Sequence, residues 1–567
     1  MEQRDLGNGV KVSYKRTSVC ETTTGVKAYS GYIHLPPGTL SVSQPYPINT
    51  FFWYFSSRKD SSRAPISLFF NGGPGGSSLL ALFAENGPCF VNSDSTTTRR
   101  NQWSWTTEAN MLYIDQPNQT GFSYDFIGNF TVSRHEGEII APLTGTPPET
   151  NSTFFVGKLA SQIQENTANT TATAAETLWH SLQGWVRGFP HHHWKSPRRP
   201  KRYMSIWAQS YGGKFGPALG AFIQHQNEKI ASNRLDAVTL PLDTVGIING
   251  CIDDLIQGPS YLEMATNNTY DIEIFNTTEA AGVAQLWDGP GACKDQILEC
   301  RRLAALHDPE SHGDVSAVND ACHNAFAACS WTYVSAYFYT QKANYYDIAM
   351  PWRDAHLPYH LGYLMQKEVL DDIGVPLNFT SASNAAYYAS VATGDSVLAG
   401  RMEDIEYLLD SGVKVSMLYG DRDYICNWYG GEAVSLSLKH KGARDFRKAG
   451  YADLLVAGKS YGKVRQSGNL SFTRLYQAGH QAPAYQPEAS YEVFMRSLRG
   501  VDTATGTQRA TSSYATRGPK DVRDIKLVPP VIPAGKCYVL SPFTCSNQEW
   551  TGTVAGQTVV KDYIVVG

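Results

Sequence analysis

Ser210 lies in a sequence context that could make its hydroxyl a nucleophile. The apolar run YMSIWA ends at Gln209, and the hexapeptide AQSYGG surrounds the serine with mostly small residues. This nearly matches the G-x-S-x-G pattern, in which the serine sits on a sharp strand-to-helix turn that bulkier neighbours would obstruct. Because a serine among small residues is more often a structural turn, the motif needs partners elsewhere in the chain.

Acidic residues and a histidine downstream could complete the chemistry. A serine hydroxyl needs a general base, and the base needs a carboxylate that orients it. Asp421 and Asp423 follow the apolar run KVSMLY, and His480 follows the run FTRLY. Taken singly, an aspartate could cap a turn and the histidine could be an ordinary loop residue. The order serine, acid, histidine, with each after an apparent strand, favours a hydrolase that forms an acyl-enzyme.

The glycine-rich segment FFNGGPGGSS, residues 69–78, could supply donors for the negative charge that develops in acyl transfer. Two other interpretations apply to such a loop. One is a tight turn, and the other is a phosphate-binding loop, although the Gly-Lys-Ser/Thr ending of that loop is absent. We predict that the main-chain amides of Gly73 and Tyr211 together form an oxyanion hole.

The elements that must position these residues are short buried strands that alternate with helices. Six apolar runs, ISLFF, NMLYI, YMSIWA, DTVGII, KVSMLY and FTRLY, end in small or polar residues, and helical stretches such as AAETLWHSLQGWVRGF lie between several of them. This alternation predicts an α/β fold with a mostly parallel, doubly wound sheet. Such sheets place their chemistry at the carboxyl ends of the strands.

Composition divides the chain into four parts. Residues 1–254 and 376–500 are expected to form the two halves of the α/β core. Residues 255–375 are polar, rich in Ala and Asn, and contain four cysteines, which predicts a mainly helical cap insertion stapled by disulfides. Residues 501–567 form a C-terminal extension with a proline-rich linker.

The ten cysteines suggest a disulfide framework. The four in the cap fall in two pairs with seven-residue spacing, which suits nested bridges Cys293–Cys329 and Cys300–Cys322, although spacing alone leaves the connectivity open. Cys537–Cys545 is expected to be a local staple. Two possibilities stand for Cys251 and Cys426, which follow different strands near the predicted site: either they pair, or Cys426 is a free thiol close to the substrate pocket.

Charge and composition exclude several classes of partner. A net charge of −4 over 567 residues argues against a nucleic-acid ligand, and the absence of an apolar run of about 18 residues argues against a membrane span. The cysteines and eight Asn-x-Ser/Thr sequons favour a secreted or vacuolar glycoprotein. The first residues, MEQRDLGNGV, lack a hydrophobic signal region, so we expect that a signal has been removed or that the gene model is truncated. The sequons begin at Asn118, Asn129, Asn151, Asn169, Asn267, Asn276, Asn378 and Asn469.

Six motifs together resemble one known family. NGGPGGSS, FAENGP, YIDQPNQTGFSY, AQSYGG, GDRDYICNW and AGHQAPAYQPEA occur in the order found in serine carboxypeptidases. CETTTGVKAYSGYIHL and CYVLSPFTC resemble the secreted fungal carboxypeptidase S1 branch, so the resemblance covers nearly the whole chain. It implies an α/β-hydrolase fold with a helical cap, and an enzyme that removes C-terminal residues from peptides without a metal or organic cofactor.

The resemblance implies a role for each site residue. Ser210 is then the nucleophile, His480 the base, and Asp423, the second aspartate of the GDxD turn, the acid in preference to the first. The amides of Gly73 and Tyr211 match the family's oxyanion hole. The residues that would hold the terminal carboxylate of the substrate are Asn71, Gly72, Glu85 and Gln209.

The chain departs from the family pattern at three positions. Gly76 replaces the cysteine that usually follows NGGPG, so we expect Cys20–Cys89 to tether the N-terminal region instead. Gln481 stands where some members have methionine, beside the leaving-group pocket. The third departure is Gln209, which replaces a glutamate.

Gln209 suggests that the carboxylate-binding residues, here called the carboxylate clamp, work over a wider pH range than a pair of glutamates would. A second ionised carboxylate would repel the substrate carboxylate, so two glutamates must stay partly protonated, whereas a glutamine amide donates without taking a proton from solvent. We predict activity that persists further toward neutral pH than with two glutamates. Two alternatives remain open: an isosteric exchange without effect on pH behaviour, or an acyltransferase or esterase with an altered carboxylate clamp.

Overall fold

The computed structural model describes residues 1–135, 138–146, 150–192, 203–353, 356–533 and 535–567. The strands are β1 (Glu2–Asp5), β2 (Lys11–Thr17), β3 (Ala28–Leu35), β4 (Ile48–Phe55), β5 (Ile66–Phe70), β6 (Cys89–Val91), β7 (Thr98–Arg100), β8 (Asn110–Ile114), β9 (Ile127–Ser133), β10 (Ile139–Pro142), β11 (Phe154–Ala160), β12 (Met204–Gln209), β13 (Leu242–Ile248), β14 (Lys414–Gly420), β15 (Ala452–Val456), β16 (Lys459–Ser467), β17 (Leu470–Leu475), β18 (Val560–Lys561) and β19 (Ile564–Val565).

The α-helices alternate with the central strands or lie in the cap. They are α1 (Leu79–Ala84), α2 (Thr171–Gly188), α3 (Gly212–Ala231), α4 (Asp254–Thr266), α5 (Thr277–Asp288), α6 (Cys293–His307), α7 (Ser316–Ser330), α8 (Ala336–Thr340), α9 (His360–Tyr363), α10 (Lys367–Ile373), α11 (Asn384–Thr393), α12 (Arg401–Asp410), α13 (Trp428–Ser437), α14 (Ala443–Lys448), α15 (Ala482–Tyr485), α16 (Pro487–Arg499) and α17 (Asn547–Val554).

Twelve strands form one sheet in the order β1-β2-β3-β4-β8-β5-β12-β13-β14-β17-β16-β15. The six strands from β8 to β17 in this order run parallel, and they coincide with the six apolar runs of the sequence. A strand covered on both faces is apolar along its whole length, which explains why these six could be found. The predicted α/β class is confirmed, and antiparallel strands, which the sequence did not predict, extend both edges.

Helices cover both faces of the central sheet. The side chains of β12 alternate between the two hydrophobic clusters on these faces: Ile206 and Ala208 belong to one cluster and Trp207 to the other. Helices α2, α3 and α12 pack on the first face. On the second, α16 brings Phe494 to a ring-centroid distance of 5.4 Å from Trp207. With both faces covered, the carboxyl ends of the strands are left to form a site.

Residues 255–375, where the insertion is expected, are mainly helical: α4 begins one residue earlier, at Asp254, and α5 to α10 lie within the range. Its disulfides Cys293–Cys329 and Cys300–Cys322 join α6 and α7, and this nested connectivity requires the two helices to run antiparallel. The same buried cluster includes Val397 and Leu398, so packing of the helix pair continues past residue 375. The disulfides Cys20–Cys89 and Cys251–Cys426 are also formed, and the second resolves the alternative left open by the sequence.

The C-terminal extension crosses the core and ends in a small lobe. Arg523 pairs with Glu263 at 2.8 Å and with Glu432 at 3.1 Å, which fixes the path of the chain. Residues 537–566, here called the C-terminal lobe, contain the Cys537–Cys545 disulfide, α17 and the hairpin β18–β19. Within the described part of the chain, no helix is long and apolar enough to cross a membrane.

Candidate active site

The carboxyl ends of neighbouring central strands open into one cleft of about 400 Å³. The chain after β5 contributes Asn71 and Gly73 to its lining, the end of β12 contributes Gln209 and Ser210, and the loop after β17 contributes His480. These residues come from three separate parts of the sequence. The order of the parallel strands therefore brings the predicted residues together.

Ser210 occupies the sharp turn between β12 and α3. Its φ is 63°, a left-handed conformation that is unusual for serine. Hydrogen bonds hold the strained turn, since the amide of Ser210 donates to Ile248 O at 3.0 Å, and its carbonyl accepts from Gly213 N at 2.8 Å and Cys251 N at 3.0 Å. A Cβ at Gly213 would lie 2.7 Å from Cys251 O, which gives the physical reason for a small residue there.

Asp423 and His480 form a buried hydrogen-bonded pair. The imidazole Nδ1 lies 2.7 Å from Asp423 Oδ2, and the aspartate side chain has no exposed surface. Asn249, at the end of β13, donates from Nδ2 to the same oxygen at 2.9 Å, while Gly420 N donates to Asn249 Oδ1 at 3.0 Å. The other carboxylate oxygen accepts from Ile425 N at 3.1 Å. Asp423 is thereby held in an orientation that leaves Nε2 of the histidine for the cleft.

Asp421 lies in a different environment. It accepts hydrogen bonds from Tyr270 Oη at 2.6 Å and Arg474 Nε at 3.2 Å, both buried. Its carboxylate is therefore engaged by the core and the cap, whereas that of Asp423 contacts His480. The geometry favours the second aspartate of the turn over the first.

The two amides expected to form an oxyanion hole belong to chain segments in close approach. A Cβ added to Gly72 would lie only 2.3 Å from Tyr211 N, and Gly73 has a φ of 110°, which glycine adopts without strain. The hydroxyl of Tyr211 donates to Asp395 Oδ2 at 2.6 Å and anchors that residue. Neither Gly73 N nor Tyr211 N donates to another group in the described ranges, so both can bind a third group.

Glu85, at the end of α1, is a buried carboxyl beside Gln209. Only 1% of the residue is exposed, and Gln209 Nε2 donates to Glu85 Oε2 at 2.8 Å and to His480 O at 3.4 Å. Burial raises the pKa of Glu85 to about 8, and the hydrogen bond from Gln209 opposes this shift. The glutamine amide therefore donates to Glu85, whereas the sequence suggested that it would donate to a substrate.

The remaining polar atoms near this carboxyl are partly unsatisfied. Asn71 Nδ2 donates to Ser77 O at 3.0 Å, but Asn71 Oδ1 and Glu85 Oε1 have no hydrogen-bond partner in the described part of the chain. Buried polar atoms without partners are uncommon, and each needs a physical explanation, of which a functional role is one. Both atoms lie on side chains predicted to bind a carboxylate, but Glu85 Oε1 can donate to one only when it is protonated, and Asn71 can donate only from the second N–H of Nδ2, because Oδ1 is an acceptor.

Two contacts of the site were missed at the sequence level. Asn249 follows an apolar strand, as the predicted residues do, and this position was the only signal that could have identified it. Tyr346 is in the cap, where its carbonyl accepts from His480 N at 2.8 Å and its ring lies 4.9 Å from the imidazole. No local pattern indicates that contact. Gln481, singled out earlier, does line the cleft.

The predicted glycosylation sites differ in accessibility. Asn118 is buried, and its amide nitrogen donates to Asn166 O at 3.0 Å. Three further sequon residues, Asn169, Asn378 and Asn469, are partly buried. Four are exposed, namely Asn129, Asn151, Asn267 and Asn276.

A sheet of this order, a serine on a strained strand-to-helix turn and a histidine–aspartate pair define an α/β-hydrolase. A family model described as serine carboxypeptidase matches residues 19–500, and the chain belongs to that family. It is accordingly a serine-type carboxypeptidase, a hydrolase, as the sequence resemblance implied.

Curated relatives and a solved structure agree with this placement. Carboxypeptidase S1 homolog A from Arthroderma otae is 45% identical over 98% of this chain and 87% of the relative. Carboxypeptidase S1 from Penicillium janthinellum is 30% identical over 86% of this chain and 98% of the relative. The crystal structure of Kex1Δp, a prohormone-processing carboxypeptidase from Saccharomyces cerevisiae, has the same fold, with a TM-score of 0.53 at 20% identity over 83% of this chain and 91% of that chain.

Proposed function

We propose that this carboxypeptidase releases the C-terminal residue of peptides through an acyl-enzyme on Ser210. The observation that carries the proposal is that Ser210, His480 and Gln209 line one cleft, and that Gln209 is hydrogen-bonded to the buried carboxyl of Glu85 behind it. Ser210 and His480, the first part of the site, can perform acyl transfer. Glu85 and Gln209, the second part, can contribute to recognition of a terminal carboxylate. Together they restrict the reaction to the last peptide bond.

The reaction uses the groups of the first part in two steps. Ser210 Oγ attacks the carbonyl of the last peptide bond while His480 takes its proton, and Asp423 stabilises the imidazolium that forms. The negative charge on the carbonyl oxygen is held by the amide of Gly73, in the loop after β5, and by the amide of Tyr211, at the N-terminus of α3. His480 then gives the proton to the leaving amine, and water cleaves the acyl-enzyme by the same route.

The second part binds the substrate carboxylate through a neutral acid. With its pKa raised to about 8, Glu85 is protonated at neutral pH. Oε2 already accepts from Gln209, so the proton belongs on Oε1, which has no protein partner in the described ranges. A substrate carboxylate can accept that hydrogen bond without repulsion. Asn71 and the main-chain amide of Gly72 are the other proposed donors.

We place the enzyme in the secretory pathway, as a secreted or vacuolar protein whose substrates are peptide C-termini. Five disulfides are typical of an oxidising compartment. The four exposed sequon residues would accept glycans there.

The test is release of free amino acid from N-blocked dipeptides, with the matched C-terminal amide and an ester measured in parallel between about pH 4 and 8. We expect cleavage of the free acid, little cleavage of the amide, and no activity in Ser210→Ala. A fluorophosphonate should label Ser210 in the wild type. Ester cleavage without peptide cleavage would refute the proposal and favour an esterase or acyltransferase, which the similarity to carboxypeptidases does not favour.

A further inference from the structure

The C-terminal lobe reaches the cleft that contains Ser210. Ser541, in the disulfide-closed loop of the lobe, lines this cleft together with Ser210 and Gln209. The family match ends at residue 500, so this contribution comes from outside the region that the family model describes. The established chemistry assigns the lobe no role.

The loop that carries Ser541 is held firmly in place. Ser541 N donates to Tyr538 O at 2.8 Å, and Ser541 O accepts from Thr544 N at 3.0 Å and Thr544 Oγ1 at 2.8 Å. The Cys537–Cys545 disulfide closes this turn. The hydroxyl of Ser541 has no hydrogen-bond partner among the residues that the structure describes, so it is available to a molecule in the cleft.

Contacts with the cap place the lobe on the carboxylate-binding side of the cleft. The hydroxyl of Tyr538 accepts from Gly362 N at 3.1 Å, in helix α9. His360, the first residue of α9, is also part of the cleft lining, and its ring lies parallel to that of Phe83 at 6.4 Å. Phe83 is in α1, the helix that ends at Glu85. The C-terminal lobe therefore contacts α9, and α9 contacts α1, so that the three lie next to one another on one side of the cleft.

We propose that the C-terminal lobe forms a wall of the pocket for the released residue, and that Ser541 is a specificity-determining residue there. The assignment rests on the proposed carboxylate clamp, because the clamp fixes where the released residue lies. The wall presents a small, uncharged hydroxyl to a cleft that the apolar residues Met350 and Leu361 also line. It therefore fits a neutral side chain, and a charge placed at position 541 must change the preference in a direction set by its sign.

The test is a charge exchange in the full-length chain. In Ser541→Lys we expect kcat/KM for an N-blocked dipeptide ending in Glu to rise about fivefold relative to one ending in Ala, and that for a Lys ending to fall by a similar factor. Ser541→Asp should give the reverse. Gln548, exposed on α17 and not part of the cleft lining, provides the matched controls Gln548→Lys and Gln548→Asp, which should leave both ratios unchanged.

A general loss of folding cannot produce opposite shifts in the two variants. Should both charged variants fail to fold, Ser541→Leu remains, and it should lower kcat/KM for a Trp ending relative to an Ala ending about fivefold. Unchanged ratios in the folded variants would overturn the assignment and leave the lobe a structural element. If instead the wild type labels at Ser210 but releases no residue from any free-acid dipeptide, the proposed function fails and not the role of the lobe alone.

Discussion

Gln209→Glu tests how the enzyme keeps its carboxylate site uncharged. The two side chains are 2.8 Å apart at their nearest polar atoms, so the substitution places two carboxyl groups within hydrogen-bonding distance. Like charges at this distance share one proton and do not both ionise. The wild-type site is neutral up to about pH 8. In the variant the two carboxyls can share one proton, which favours loss of the other, so the pair becomes singly charged at a lower pH than Glu85 does in the wild type.

The size of the effect follows from the added charge. A carboxylate roughly 4 Å from the substrate carboxylate costs ~4 kcal/mol at an effective dielectric constant of about 20, equivalent to ~10³ in affinity. The proton that remains on the pair can still donate a hydrogen bond to the substrate carboxylate and offset part of this repulsion. We therefore expect a loss of affinity of ~10²-fold. The ratio of the variant's KM to the wild-type KM should be close to one at about pH 4 and rise to that value by about pH 7.

The assay is KM and kcat for one N-blocked dipeptide across this pH range, with the C-terminal amide as a substrate that lacks the charge. Glu85→Gln is the matched control, because it keeps the site neutral at every pH and should bind with little pH dependence. A KM ratio that stays within about twofold across the range would refute the reasoning and support a merely isosteric exchange at Gln209. A sharp loss of affinity between about pH 5 and 6 in both proteins would do the same.

The same carboxyl has a consequence for stability that needs no substrate. Folding raises the pKa of Glu85 from 4.5 to about 8, so between these values the folded state holds a proton that the unfolded chain has released. The contribution of Glu85 to stability is therefore fully present below about pH 4.5 and is lost as the pH rises to about 8, by at most ~5 kcal/mol. Glu85→Gln should gain stability over the wild type as the pH rises through this window, measured by urea unfolding. A constant difference would contradict the raised pKa.

Three further predictions concern other parts of the molecule. Asn249→Ala removes a donor to buried Asp423 at 2.9 Å and should lower kcat by about tenfold, a loss of ~1–3 kcal/mol, with KM little changed in steady-state assays; an unaltered kcat would show that Asn249 does not position the pair. Replacing Cys251 and Cys426 by serine opens a bridge across 175 residues and should cost about 2–5 kcal/mol in chemical denaturation, and an unchanged midpoint would argue against the bridge. Asn118 should carry no glycan in intact-glycopeptide mass spectrometry because it is buried. A glycan on Asn118 together with unoccupied exposed sequons would contradict this argument from accessibility. The exposed sequon residues are Asn129, Asn151, Asn267 and Asn276.

Local sequence was sufficient to locate the scaffold of the site. The central strands are buried on both faces, so each is an unbroken apolar run, and the polar residue after each run marks the carboxyl end of a strand. Ser210, Asp423 and His480 all follow such runs. The antiparallel strands that extend the sheet were not predicted, and β1, the terminal strand at one edge, is exposed along its whole length and therefore has no apolar run to mark it.

The protonation state of Glu85 and the partners of the site residues were decided only by the tertiary structure. Burial raises the pKa of Glu85 against the opposing hydrogen bond from Gln209, and neither burial nor that bond can be read from the residues next to Glu85 in the chain. The hydrogen bond of Asn249 to Asp423 joins residues 174 positions apart, and Ser541 lines the same cleft as Ser210, which is still more distant from it in the sequence. A sequence pattern indicates which face of a helix or strand is buried. It does not indicate which residues contact that face, because those contacts depend on how distant segments of the chain pack.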